Sequence, residues 1–131
     1  ITATEAFVFE LLKKKMKEPA TPGKKDAVRG KEQMIHRAVP SRSRKVNAPE
    51  EVRPAGRWGT LRETREAFER TRQQTIDFVK LSKEDLRSWH HPHFMLGDMD
   101  IYQWTVFIAA HCERHLAQMR EVRGEAGFPG N

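Results

Sequence analysis

Three observations predict an all-α fold, a bundle of helices. Residues 1–17, 60–81 and 100–122 repeat apolar side chains at helical spacing. Two of these stretches open on capping signals, Thr60-Leu61-Arg62-Glu63 and Asp100-Ile101-Tyr102-Gln103. No segment alternates apolar and polar residues over a convincing length for a strand. Helices with one apolar stripe each must bury those stripes against one another, and a bundle does so. At 131 residues, the chain is the size of a single domain, 1–131.

The first helix is expected over residues 1–17, with Phe7, Leu11 and Leu12 as its stripe and Val8 and Phe9 widening it. Lys13 to Lys17 suit the negative end of its dipole, and Pro19 and Pro22-Gly23 stop it. The opening residues already read as helix interior, so further residues are expected ahead of Ile1. Residues 19–59 form a long connection holding Pro19, Pro22, Pro40, Pro49 and Pro54. A weak helix is expected inside it over 24–37, with Val28, Met34 and Ile35 as its contacts. Arg42 to Pro54 is expected to be extended.

Leu61, Thr64, Phe68, Thr71, Thr75, Phe78 and Val79 give the next helix its stripe, to about Leu81. Ser82-Lys83-Glu84-Asp85 is expected to cap a short helix to about Trp89. His90 to Asp98 is expected to be a loop, because Pro92 disfavours helix at His91 and Gly97 permits a turn. On the last helix Trp104, Ile108, His111, His115, Met119 and Val122 follow one face, broadened by Phe107, Ala109 and Leu116. Gly124 ends it, and 124–131 reads as a loose tail.

Composition removes several function classes. No apolar run approaches the roughly 20 residues that span a bilayer. The single cysteine, Cys112, leaves no internal disulfide or multi-Cys zinc site. No charged-apolar-small signal segment opens the residues given, so secretion is not expected, and a reducing, cytoplasmic setting is the expectation. The formal charge of +6 is uneven. Residues 13–45 hold twelve basic against three acidic side chains, a local +9. Such a field suits an anion, an acidic partner or phosphates. No aromatic residue lies between Phe9 and Trp58 to stack on bases, so a solvated basic surface is the plainer reading and nucleic acid is not the expected partner.

The chemistry-bearing feature is His111-Cys112-Glu113-Arg114-His115. Residues four apart on a helix face the same way, with Cβ atoms about 5–6 Å apart. Two imidazoles so placed can share a divalent metal, or can be satisfied by backbone, carboxylate or water. Cys112 stands where a zinc protease of the HExxH kind needs its acid. Cys112 reads as a small packed hydrophobe and Glu113 as a surface carboxylate pairing with a nearby Arg. His90, His91 and His93 can approach from the loop, although such residues are commonly exposed, and His36 reads as solvated. Trp104 and Phe107 read as core.

The stretch His91-Pro92 through Gly97, Gln103-Trp104, His111-x-x-x-His115 and Gln118 resembles the DinB-like superfamily. Weaker likenesses are Arg42 to Pro49, Arg53-Pro54 and Glu5. The resemblance implies an up-down four-helix bundle whose long crossover is 19–59, with its first helix lying ahead of the residues given. It also implies a divalent metal, nickel or zinc, on three histidines. Two map to His111 and His115, and the third falls about five residues before Glu5, just ahead of Ile1. Gln118, Trp104 and His93 are then expected in the second shell or pocket. The implied function is a metal-dependent enzyme, a thiol-dependent S-transferase or hydrolase-like, with a small-molecule substrate such as a low-molecular-weight thiol. A homodimer is implied. The alternative is a non-catalytic bundle that binds a small molecule or protein partner.

Overall fold

The structure, a computed structural model, describes residues 1–53 and 55–129; Pro54 and the end of the expected tail, Gly130 and Asn131, lie outside the described residues. Helix α1 spans Thr2–Lys15, α2 Lys25–Val28, α3 Lys31–Ala38, α4 Leu61–Leu81 and α5 Ile101–Arg123. A hairpin of β1 (His90–His93) and β2 (Gly97–Asp100) precedes α5. The fold is thus mostly helical, as expected. Among the described residues it holds three long helices, two short ones and a two-stranded sheet rather than four long helices alone.

Several local expectations are corrected. Helix α1 buries Thr2, Glu5, Val8 and Leu12, while Phe7 of the expected stripe is 48% exposed. The helix expected over 24–37 is two helices, broken at Gly30, whose φ of 77° few other residues adopt without strain. Val28 and Ile35 are buried there and Met34 is exposed. The extended 42–54 stretch contains a 3₁₀ turn at Glu50–Val52. The short helix expected before Trp89 is a single 3₁₀ turn, Leu86–Ser88, capped by Asp85 rather than Ser82. On α4 Leu61 is 86% exposed, and Ala67 and Thr75 are the buried positions.

The expected loop at 90–98 is largely the antiparallel hairpin, pairing His90 with Asp100 and His93 with Gly97. Gly97 turns it with a φ of 67°. Lys31 on α3 donates to the carbonyls of Leu96 (3.0 Å) and Asp98 (2.5 Å), tying the hairpin to the connection. Thr21 binds the segment before it, its N–H donating to the Ser88 carbonyl at 2.6 Å and its hydroxyl meeting His90 Nδ1 at 2.9 Å.

Both capping boxes form. Thr60 and Glu63 satisfy each other's backbone N–H, and so do Asp100 and Gln103. The second box is buried and does more. Asp100, 1% exposed, also accepts from Arg87 at 2.9 Å, and Arg87 reaches Glu32 on α3 at 2.5 Å. Gln103 donates to the carbonyl of Val28 at 2.6 Å. One helix start therefore joins the hairpin, the 86–88 turn, α2 and α3. Below it Met99, Ile101, Trp104, Phe107, Ile108 and Ala110 pack with Val8, Leu12, Ile35 and Leu86 as the core. The far end of α5 departs from its predicted stripe: Leu116, Met119 and Val122 are exposed, as is Ala109. Gly124 ends the helix as expected.

Asp100→Ala removes a helix cap and leaves Arg87 without its buried partner. Urea unfolding should show a loss of about 2–4 kcal/mol. Asp100→Asn keeps the capping acceptor and should lose less. Equal stability of Asp100→Ala and the parent chain would remove this network from the centre of the fold.

Candidate metal centre

His111 and His115 lie one turn apart on α5, half-buried, with their rings edge to face at 4.5 Å between centroids. Their Nε2 atoms are 3.1 Å apart. His115 Nδ1 lies 2.9 Å from Gln118 Oε1, which accepts its proton. That bond leaves the lone pair of His115 on Nε2, turned toward His111, where a proton on His111 Nε2 can be donated to it. Two nitrogens about 2.0–2.1 Å from one ion stand about 2.9 Å apart at a right angle and about 3.4 Å apart at a tetrahedral one. The observed separation falls between these limits, so the two donors fit a single divalent ion. Gln118 plays the outer-shell part that fixes a ligand's tautomer.

Burial favours the neutral form of both rings, the form in which an imidazole can ligate. Desolvation, with His115 and the nearby cations adding to it, lowers His111 to a pKa of about 4. His115 is lowered by desolvation and then by Arg114 and Arg42, with Gln118 opposing, and the backbone nitrogen of Ile1 lies close to both rings. The start of α1 thus abuts the pair. Glu5, 2% exposed, takes a two-pronged bond from Arg72 of α4 at 2.8 and 2.9 Å, and this pins α1 to α4 beside the pair. Cys112 is half-buried next to Arg72. Glu113 is exposed, and no ion pair of it is found among the described residues.

A strap from the long connection crosses α5 at the same level. Arg114 donates to the carbonyls of Val39, Ser41 and Arg44. Arg42 grips Glu121 at 3.0–3.1 Å. Sequence spacing gives no sign of this strap, because its partners lie 70 or more residues apart.

The loop histidines depart from expectation: His90 and His93 are buried, and only His91 is half-buried. His93 packs on Phe107 at 4.7 Å, and Phe107 stacks on His111 at 5.6 Å, so one aromatic ring links His93 to the pair. Trp104 donates to the His91 carbonyl at 2.9 Å and packs on His91, His93 and Phe107 instead of on the pair. His90 is remote from the pair, with Nε2 enclosed and unbonded among the described residues. His36 is exposed, as expected. Among the described residues no three His, Cys, Asp or Glu side chains gather as a complete ligand set. An open depression of about 240 Å³ lined by Val79, Leu86, Arg87 and Tyr102 lies at the other end of α5.

A family model of the DinB superfamily matches residues 2–119. The chain belongs to the DinB superfamily. DinB proteins are generally metal-binding, which agrees with the donor geometry of the pair. The chain is similar to an uncharacterised protein, YuaE, of Bacillus subtilis (strain 168), with 28% identity over 82 residues. That alignment covers 63% of this chain and 51% of the relative, so the chain matches about half the relative's length. No solved structure matches the chain. No helix among the described residues of this DinB domain is long and apolar enough to cross a membrane.

Acid should weaken the domain. His93 and His111 are held near pKa 4, against 6.5 for an unburied ring. Between those values the unfolded chain binds more protons than the folded one. Stability is then full above about pH 6.5 and falls as pH drops toward 4. Urea unfolding at about pH 7.5, 6 and 5 measures this, and a flat profile would contradict the burial of these two rings.

Proposed function

We propose that His111 and His115 hold one divalent metal ion, nickel or zinc, and that the domain serves a metal-dependent enzyme acting on a small molecule. The observation that supports this reading is the 3.1 Å approach of two neutral Nε2 atoms, one of them tautomer-fixed by Gln118. His111 and His115 bind. Gln118 orients His115, and Phe107 backs the ring of His111. The proton that His111 shares with His115 must leave Nε2 before both can ligate, and its own Nδ1 is free to take it. A metal on these nitrogens supplies Lewis acidity, lowering the pKa of a bound water or thiol.

Two imidazoles are one fewer than the three protein ligands common at catalytic zinc. A third, as the family resemblance implies, is consistent with the backbone nitrogen of Ile1 lying near the pair. A histidine joined to that nitrogen would enter the same space. The reaction class that the family suggests is S-transfer from a low-molecular-weight thiol or a hydrolase-like step, in a cytoplasmic homodimer. Nucleic acid is a weaker partner for the basic third. Lys13, Lys15, Lys24, Lys25 and Arg29 are each paired to a carboxylate, and Lys31 is bonded to carbonyls. The two-ligand set favours a second reading, a bundle that binds a small molecule or protein without catalysis.

Zinc and cobalt titrations followed by calorimetry test the assignment. His111→Ala and His115→Ala should each abolish binding, and Gln118→Ala should weaken it about tenfold. One histidine added ahead of Ile1 should strengthen it by tenfold or more. Unchanged metal binding in both alanine variants would reject the ligands named here.

A further inference from the structure

His93 carries a feature that the metal reading does not use. Its Nδ1 accepts from two backbone amides at the hairpin turn, Met95 N–H at 3.1 Å and Leu96 N–H at 3.3 Å. A nitrogen that accepts must keep its lone pair, so the proton of the neutral ring sits on Nε2. The ring is 8% exposed and walled by Phe94, Trp104 and Phe107 at 4.6, 5.2 and 4.7 Å. None of these walls offers an acceptor oxygen, and Nε2–H has no partner among the described residues. It is also not sealed: the one enclosed, unbonded side-chain atom among the described residues is His90 Nε2. The side chain is buried, and its N–H, which still reaches solvent, is placed to meet something that arrives from there.

The surroundings say what arrives. His93 shares Phe107 with His111 and lies within its electrostatic reach. The charged side chains felt by the pair are Arg114, which spends its donors on carbonyls and keeps its full charge, and Arg42. Arg42 is paired with Glu121, and Arg114 is the cation of the two with no carboxylate bonded to it among the described residues. A cationic, partly desolvated site with one fixed donor favours an anion.

We infer that His93 is a positioning residue of the same site, its Nε2–H held for the acceptor atom of a small anionic ligand brought to His111 and His115. The inference rests on the metal reading of that pair. The ligand class is a carboxylate, a thiolate or another small anion, and the fixed tautomer lets His93 donate without first shedding or gaining a proton.

Cobalt-loaded protein with thiocyanate as the probe tests it, read from the visible cobalt bands. His93→Asn places an amide oxygen near Nδ1, so the turn keeps its acceptor while the Nε2 donor is lost. Cobalt affinity should stay within about twofold and thiocyanate affinity should fall about tenfold. His93→Gln restores an N–H near Nε2 and should recover most of that loss. Thiocyanate bound as tightly by His93→Asn as by the parent, with cobalt retained, would overturn the inference alone. Failure of the parent to bind cobalt would overturn the metal reading and the ligand placement with it. In the metal-free protein, long-range ¹H–¹⁵N spectra should show Nε2 protonated and Nδ1 bare, and a mixed or reversed tautomer would refute the donor.

Discussion

The carboxylate of Asp100 holds the molecule in register. Taken alone, it is an ordinary helix cap, accepting from the Gln103 N–H at 2.7 Å. Buried, it needs partners, and the Arg87 side chain and the Gln103 backbone N–H donate to it while the Gln103 side chain accepts from the Asp100 N–H. Those two side chains are themselves committed, Arg87 to Glu32 and to the face of Tyr102, Gln103 to Val28. The start of α5 is therefore fixed along its axis and about it. A helix fixed at one end carries that rotation with it, about 100° per residue, to positions 104, 107, 111 and 115. The orientation of the two imidazoles depends on this distant cap.

The centre itself is made by competition between burial and charge. An imidazole that ligates must be neutral, and partial burial among Phe107, α1 and the strap keeps it so. Complete burial would close the site, whereas α5 lets its apolar content thin out beyond Ala110, where His111 and His115 lie at the boundary. The strap held by Arg114 and Arg42 then places two guanidinium groups where they oppose protonation of His115 and draw negative charge toward the pair. Glu5 and Arg72 neutralise each other alongside. Arg42 and Glu121 do the same, and Arg114, bonded to carbonyls, keeps its positive charge.

Local rules survive folding well in this chain. The two capping boxes, the stop at Gly124, the i, i+4 placement of His111 and His115 and the reach of Gln118 from His115 all lie within a few residues, so spacing alone carries them. The hairpin is different. Its strands are four residues each, and the burial of β1 runs buried, intermediate, exposed, buried, which is not the alternation that marks a strand. It forms because Lys31, Trp104, Ile101 and Thr21 reach it from elsewhere. The same distant contacts bury His90 and His93, which as residues of a loop would face water.

The sequence by itself determined where each long helix runs, how its ends are capped and that two imidazoles share one face, because these follow from 3.6 residues per turn and from groups a few residues apart. Tertiary structure decided which stripes are buried, and it exposed Phe7, Leu61 and Met119 against their hydropathy. It also decided that Arg114 straps the connection, that Glu5 meets Arg72 and that Phe107 packs on both His93 and His111. Those pairings close loops of tens of residues, and only packing selects among the partners a side chain of that chemistry could find.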